Sequence, residues 1–196
     1  MNIRIVTGLG LSLLLGACGE STPPGTQVAV APQGKAQAVE PECDPYLQFC
    51  IKASVNGAAT ASGVSGFGGR MPCAEWAKGG AARVLELPNM LPMGEKNKIT
   101  VALTRVGAYT APGDYTLVST GSGQGPIPDM LPAVDTGEQS FGEGPGSQAS
   151  VRIEANGSGR LEANGLVEIK AAHRMREPDP AARLNLVMQW TCRDVQ

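Results

Sequence analysis

The chain has 196 residues, 16 basic and 18 acidic side chains and a formal net charge of −2, a length that fits one domain plus processing segments. This near-neutral charge gives no electrostatic reason to expect nucleic acid or an anionic membrane surface as a partner. The 26 glycines and 15 prolines favour turns and loops over long helices.

Residues 1–17 are predicted to be an export signal. MNIR is a short basic segment, IVTGLGLSLLL is an apolar run too short for a stable membrane span, and LGAC follows it. LGAC resembles the lipobox of bacterial lipoproteins, with Leu15 three positions before Cys18 and the small residues Gly16 and Ala17 between them. The resemblance implies that Cys18 becomes the acylated first residue, anchored by several palmitate-type chains. The alternative is an ordinary signal peptide that leaves Cys18 discarded or free.

Residues 18–50 are predicted to form a lipid-anchored tether that ends in a small disulfide loop. Its segment 19–42 is rich in Pro, Gly, Ala, Gln and Thr and has no aromatic residue. Such a segment cannot bury enough apolar surface to offset the entropy of ordering. A flexible chain of that length reaches ~25–30 Å on average.

Four cysteines follow the tether's polar segment. An exported chain with an even number of remaining thiols is expected to form disulfides. Three pairings are open, and the close spacing in CDPYLQFC makes the local bridge Cys43–Cys50 the simplest. That choice leaves Cys73 with Cys192, whose closed loop would restrict the unfolded chain by ~4–5 kcal/mol on the loop-entropy account. The alternative, a thiolate metal site, lacks both a C-x-x-C motif and a nearby histidine.

From residue 51 to residue 196 the pattern is of short strands separated by turns. This pattern predicts a single antiparallel β-sandwich, or a barrel-like domain, stabilised by disulfides. In KITVALTRV, Ile99, Val101 and Leu103 alternate with other residues at the period of two that a half-buried strand needs. Further strands are predicted at 83–88, at 114–119 and within 150–169.

The last predicted strand, RLNLVMQWTC at 183–192, alternates most clearly. Its apolar positions share one face with Trp190 and Cys192, so Cys192 is expected beside the core. Three dipeptides predict turns earlier in the chain: Pro112-Gly113 suits a type II turn, Asn156-Gly157 predicts a hairpin, and Asn164-Gly165 predicts a second turn or a bulge.

The arrangement of these elements resembles the small surface lipoproteins of actinobacteria and related exporters, a family that includes a mycobacterial surface antigen. The matching elements are LGAC, the Thr/Pro/Gly-rich tether, Cys73 and the terminal Cys192. The pair Cys43 and Cys50 is an addition to that pattern. The resemblance implies a surface-exposed, non-catalytic antigen or binding role, with no catalytic residues to carry over.

Little in the sequence favours catalysis. His173 is the one histidine, and its polar, proline-interrupted surroundings indicate a solvated imidazole. No G-x-S-x-G motif surrounds a serine, so a Ser-His-Asp triad is not expected, and paired thiols exclude Cys-His catalysis. We therefore expect no enzyme activity and no cofactor.

Two signals favour a carrier instead. The acidic loop 121–148 suits hard cations such as Ca²⁺, although a flexible acidic loop or a carboxylate-pair enzyme would contain the same residues. The motif MLP occurs at Met90-Leu91-Pro92 and at Met130-Leu131-Pro132, and Met90 with Met93 forms M-x-x-M, whose thioethers suit Cu⁺. The other interpretation is that these side chains cap the domain or form an apolar patch that meets a partner. The carboxylates between residues 106 and 151 are Asp114, Asp129, Asp135, Glu138 and Glu143.

The sequence thus predicts a lipid-anchored, extracytoplasmic lipoprotein with a non-catalytic binding or envelope-scaffolding role. Its expected partners are the membrane, through the N-terminal lipid anchor, and an envelope protein or small ligand, but not nucleic acid. The alternative is a small-molecule or metal carrier that uses loop 121–148 and the MLP segments. Because Gly19 is not the aspartate that favours inner-membrane retention in this family, a host with two membranes would place the protein in its outer membrane.

Overall fold

The computed structural model describes residues 43–69, 71–91, 98–118, 128–171 and 176–195. The chain divides into two units, 1–38 and 39–196, and all of these ranges belong to the second. The elements that the described ranges contain are, in chain order, β1 (Phe49–Gly57), β2 (Ala61–Phe67), α1 (Cys73–Trp76), β3 (Arg83–Glu86), β4 (Thr100–Ala102), β5 (Arg105–Tyr109), β6 (Gly113–Leu117), β7 (Ala133–Asp135), β8 (Ser140–Gly142), β9 (Gln148–Ile153), β10 (Gly159–Ile169) and β11 (Arg183–Cys192).

The domain is mostly β, and its large antiparallel sheet curls into a half-barrel. Strands β2, β1, β11 and β10 lie side by side in that order. On its other side, the long β10 pairs with two strands: its first half pairs with β9 and its second half with β8. β9 continues to β6, while β8 continues to β7 and β4, and β3 and β5 form a separate pair. The prediction of an antiparallel, disulfide-stabilised β domain is confirmed in its barrel-like form.

The central strands bury one face each, as their alternating sequences predict. In β11 every second side chain from Leu184 to Trp190 is buried. The antiparallel register sets Trp190 opposite Ile51 of β1 and Met188 opposite Ala53. Leu85 of β3 and Tyr109 of β5 belong to the same buried cluster, so the small sheet completes the core that the curled sheet begins.

Two of the predicted turns are confirmed in more detail than the sequence specified. At Asn156-Gly157 the backbone N–H of Gly157 donates to the Glu154 carbonyl, and Glu154 pairs with Ser158, which closes the β9–β10 hairpin. Gly157 has φ +82°, a left-handed conformation that favours glycine. Gly165, with φ +67°, falls where the register between β10 and β11 shifts. Of the two alternatives for Asn164-Gly165, the bulge is therefore correct.

Two sequence predictions are wrong. The alternation in KITVALTRV predicts Leu103 on the buried face of one continuous strand, but it is 57% exposed, has φ +63°, and separates β4 from β5. The chain changes direction there to leave the large sheet for the small one, and Thr104 turns inward in place of Leu103. Gly113 does not occupy a type II turn position, because its φ of +158° is far from the ~+80° of that position and because it already starts β6, opposite Ile153.

The β9–β10 turn packs tightly against the end of β11. The indole N–H of Trp190 donates to the Gly157 carbonyl at 2.9 Å, and this contact is buried. A side chain at Gly157 would place its Cβ 2.8 Å from the Cys73 carbonyl oxygen. Gly157 is therefore required both by its backbone conformation and by the space around it.

Replacing Gly157 with alanine is expected to lower the free energy of unfolding more than the matched change Gly146→Ala. Gly146 has a similar φ of +84°, but a Cβ at this position would have no neighbouring atom within 4 Å. Left-handed backbone should cost about 1–2 kcal/mol at either site, and the clash at Gly157 should add at least about 1 kcal/mol. Urea unfolding measures both losses, and equal values would contradict the close packing at Gly157.

Candidate functional site

In the large sheet, β1 begins beside the point where β11 ends, and two disulfides lie at this end of the domain. Cys73, the first residue of α1, is bonded to Cys192, the last residue of β11. Cys43 is bonded to Cys50, which lies within β1. The structure therefore contains the predicted pairing. We call this region, residues 43–48, 71–73 and 192–195, the entry end.

The loop between Cys43 and Cys50 is a tight turn that exposes a tyrosine. The backbone N–H of Leu47 donates to the Asp44 carbonyl, and that of Tyr46 donates to the Asp44 carboxylate at 2.9 Å. Pro45 follows Asp44, as suits the second position of a turn. The Tyr46 side chain is 84% exposed. The turn thus fixes the backbone at Tyr46 and leaves its side chain in solvent.

Arg193 ties this turn to the end of the chain. Its guanidinium donates to the carbonyl oxygens of Leu47 and Asp44, and its backbone N–H donates to the carbonyl of Gln48. A guanidinium presents several donors in a planar fork, which suits it to hold two carbonyls at once. The turn that carries Tyr46 and the segment 192–195 are therefore one assembly.

Gln48 is the buried polar residue of the entry end, only 4% exposed. Its Nε2 donates to the Met71 carbonyl at 2.6 Å and lies 3.6 Å from the Cys73 sulfur. A Cβ at Gly69 would fall 1.4 Å from the Gln48 Oε1 atom, so the glycine leaves the room that the carboxamide needs. Gln48 thereby fixes the segment that leads from β2 into α1.

An open cleft of about 390 Å³ lies between these segments. Met71 and Val195 supply exposed apolar side chains, and Asp194 supplies a carboxylate. One oxygen of Asp194 accepts the backbone N–H of Cys73 at 2.7 Å, which positions the group. The cleft can therefore contact apolar surface and accept a hydrogen bond at its rim. Its lining residues are Gln48, Gly69, Met71, Pro72, Asp194 and Val195.

The described residues of the two MLP segments contribute mainly to packing within the domain. Met90 is fully buried and pairs with Val101 across a single bridge. Met130 is bridged to Arg105, Leu131 after it is buried, and Leu91 is half exposed. Pro92 and Met93 lie outside the described residues, so the M-x-x-M hypothesis is not placed. The Met90 thioether fills the core, as a flexible apolar side chain does well.

The acidic segment 121–148 is only partly a loop. Residues 128–148 include β7 and β8, so the expectation of one continuous acidic loop is wrong for this part. Asp129 accepts the backbone N–H groups of Gly107 and Val118, and Asp135 accepts those of Gly137 and the Ser140 hydroxyl. These carboxylates stabilise turns. Residues 121–127 lie outside the described ranges.

The other predicted carboxylates stand apart from the entry end. Asp114 of β6 forms an exposed ion pair with Arg152 of β9. Glu138 is exposed in the turn between β7 and β8, and Glu143 is half-buried just after β8. Across the ranges that the structure describes, no three His, Cys, Asp or Glu side chains are grouped so that they could hold a metal ion. Cys18 and His173 lie outside those ranges.

Glu168 of β10 is a carboxylate with several polar partners. Its side chain is only 5% exposed, and it pairs with Arg176. Burial would raise the pKa of Glu168, but the backbone N–H of Asp179 and the side chains of Gln139 and Arg176 outweigh burial and lower the pKa. The charged form of Glu168 thus joins β10 to the segment that follows it.

The sequence did not identify the residues that form the cleft. Gln48 and Asp194 become neighbours only because β1 and β11 pair along their whole length. A signal was present for Tyr46, since Asp44-Pro45 between two cysteines predicts a closed turn with the next residue at its tip. No such signal marks Gln48, because a buried glutamine has the same local sequence as an exposed one.

The fold and this site define a class: a disulfide-stabilised antiparallel β domain with an open cleft beside its chain ends. No protein-family model matches the chain, no curated protein matches it significantly, and no solved structure does so either. The resemblance to small actinobacterial lipoproteins consequently rests on the sequence motifs and stays a prediction. Among the helices within the described ranges, none has the length and apolar character to cross a bilayer.

Replacing Cys73 and Cys192 together with serine is expected to lower the free energy of unfolding by about 4–5 kcal/mol, because that bridge closes a long loop. Cys43→Ser with Cys50→Ser is the matched control, with a sequence separation of 7 instead of 119. The shorter loop predicts a loss of about 2–3 kcal/mol. Urea unfolding of the two double variants tests the difference, and a larger loss in the control would refute the loop-length argument.

Glu168→Gln is expected to remove a pH-dependent part of the stability. Because the folded pKa of Glu168 is lowered, its carboxylate stabilises the fold above the unfolded pKa of ~4.3, and this stabilisation is lost as the pH falls through the folded value. The variant should be less stable than the wild type at pH 7, and the gap should narrow below about pH 4.3. Thermal unfolding across this range measures the gap; a gap independent of pH would contradict the role of the charge.

Proposed function

We propose that this protein is a lipid-anchored extracytoplasmic lipoprotein whose β domain has a non-catalytic binding or scaffolding role in the cell envelope. The observation that carries the proposal is the pairing of Cys43 with Cys50 and of Cys73 with Cys192. Of the five cysteines this leaves Cys18, at the position that the lipobox cysteine occupies in LGAC. Structural disulfides also favour an oxidising compartment outside the cytoplasm.

The anchor follows from the chemistry of acylation. Removal of residues 1–17 would leave Cys18 as the first residue, able to carry acyl chains on its sulfur and its new amino group. Each buried CH₂ contributes ~0.8 kcal/mol, so that several chains hold a protein firmly where one chain gives only marginal binding. The protein would then stand at the cell surface, or in the outer membrane of a host with two membranes.

A binding or scaffolding role is supported by how the described polar groups are used. The carboxylates of Asp129, Asp135 and Glu168 accept hydrogen bonds that join segments of the fold. The cleft of the entry end, by contrast, has a rim carboxylate and apolar side chains that face solvent. These groups suit recognition of a partner surface.

A carrier of small molecules is the second candidate, and the cleft favours it more than the acidic segment does. Its volume of about 390 Å³ is in the range of ~300–1,000 Å³ that is common for ligand sites. Met90, which the carrier hypothesis needs at a pocket, is buried in the core. A carrier would therefore use Met71, Asp194 and Val195.

Intact-mass spectrometry of the protein purified from membranes tests the proposed anchor. The expected species starts at Cys18, carries the mass of its acyl chains and lacks four hydrogens because of its two disulfides. Cys18→Ser should release the protein from membranes, whereas the Cys43→Ser, Cys50→Ser double variant should stay bound. A mature chain that starts elsewhere and carries no lipid would refute the proposal.

A further inference from the structure

The exposed apolar side chains of the entry end carry a further inference, which rests on the proposed lipid anchor. We propose that the entry end binds the bilayer surface, with Tyr46, Met71 and Val195 among the headgroups of zwitterionic phospholipids. The domain would then stand on the membrane in one orientation instead of tumbling at the end of its tether.

The three side chains come from three separate segments that the fold brings together. Met71 and Val195 line the same cleft and are 48% and 43% exposed. Tyr46 lies in the turn whose carbonyl oxygens accept hydrogen bonds from Arg193. Arg193 in turn lies two residues before Val195. Single exposed apolar residues are ordinary on protein surfaces, whereas several at one end of a domain make that end a candidate interaction surface.

The backbone at or next to each of these residues is held in place before any contact is made. The disulfide between Cys43 and Cys50 and the hydrogen bonds of Asp44 fix the turn of Tyr46. Gln48 holds the carbonyl of Met71, and Asp194, next to Val195, accepts from the backbone of Cys73. Because the backbone is already fixed, binding at this surface costs less conformational entropy than ordering a loop would, so a small apolar area can still contribute.

The position of the chain entry identifies the bilayer as the occupant. Cys43 is the first described residue of the domain and lies at the entry end, and residues 19–42 separate it from Cys18. The flexible tether that the sequence predicts for these residues would hold the entry end at an average distance of about 25–30 Å from an acylated Cys18. Tethering raises the effective concentration of the surface, which lets a weak contact be populated.

The chemistry of the three side chains fits the headgroup region. Tyrosine has an apolar ring and a polar hydroxyl, and it is enriched where membranes meet water. Methionine adapts to irregular apolar surroundings. Asp44 and Asp194 flank them at this end, whereas the charge of Arg193 is directed at two backbone carbonyls. The two carboxylates disfavour anionic lipid, which is why we assign a zwitterionic surface.

With the entry end on the bilayer, the opposite end of the domain would face away from the membrane. β1 runs from Phe49 at the entry end to Gly57, and β11 returns from Arg183 to Cys192. Nine residues of strand rise about 26–30 Å, so the turn after Gly57 and the segment before Arg183 would stand that far above the headgroups. Those parts would be the ones available to partners in the envelope.

Depth-dependent quenching of a tryptophan tests the proposal on the full-length, acylated protein. Tyr46→Trp reports on the entry end, and Ala181→Trp reports on the exposed segment before β11 at the opposite end. In phosphatidylcholine vesicles that contain brominated phosphatidylcholine, the added emission of Tyr46→Trp should fall about twofold. Ala181→Trp should lose no more emission than the wild type, whose Trp76 and Trp190 give the background.

Flotation of the same vesicles separates the two proposals. If the protein floats but Tyr46→Trp is quenched no more than Ala181→Trp, the lipid anchor is present but the entry end does not contact the bilayer. That result would refute the proposed membrane contact and leave the entry end to a protein partner. Protein that does not float refutes both the anchor and the membrane contact. Phosphatidylglycerol vesicles at low salt that contain the same mole fraction of brominated lipid, as brominated phosphatidylglycerol, should quench Tyr46→Trp less than the phosphatidylcholine vesicles do. Stronger quenching there would overturn the assignment to zwitterionic lipid.

Discussion

The bond between Cys73 and Cys192 is the constraint on which the entry end depends. It joins the start of α1 to the end of the central strand β11, and the β9–β10 turn packs against it through Gly157. Trp190, two residues before Cys192, donates to that same turn from the core side. With this corner in place, Asp194 reaches the backbone of Cys73 and the cleft acquires its fixed walls. A covalent closure here compensates for a core that contains few aromatic side chains.

Within the described ranges, the polar groups divide into two uses. Several carboxylates accept hydrogen bonds from nearby backbone donors, as at Asp129 and Asp135, where these bonds hold loops between strands. Such groups are satisfied inside the protein and have little left to offer a ligand. The entry end differs because its apolar side chains are exposed, and because Asp194, one oxygen of which accepts the backbone N–H of Cys73, is itself exposed. The recognition role that we propose for this end would be brought close to the membrane by the proposed anchor.

Prediction from the sequence succeeded where one local pattern decides the structure. The alternation in β11 predicted both its bounds and its buried face, because a strand with one covered side needs a period of two. The same rule failed at Leu103, where the pattern continues but the chain leaves one sheet for another. Asn164-Gly165 left a turn and a bulge open, and only the pairing of β10 with β11 distinguished them.

The sequence by itself determined the export signal pattern, the antiparallel β class and the simplest pairing of four cysteines, because each depends on composition, period or spacing along the chain. Only the tertiary structure decided that β10 pairs with both β9 and β8 along one edge, and that Met90 is buried in the core. It also decided that Gln48, Met71 and Asp194 line one cleft. These features depend on contacts between residues far apart in sequence. Strand pairing creates such contacts, and no local pattern encodes them.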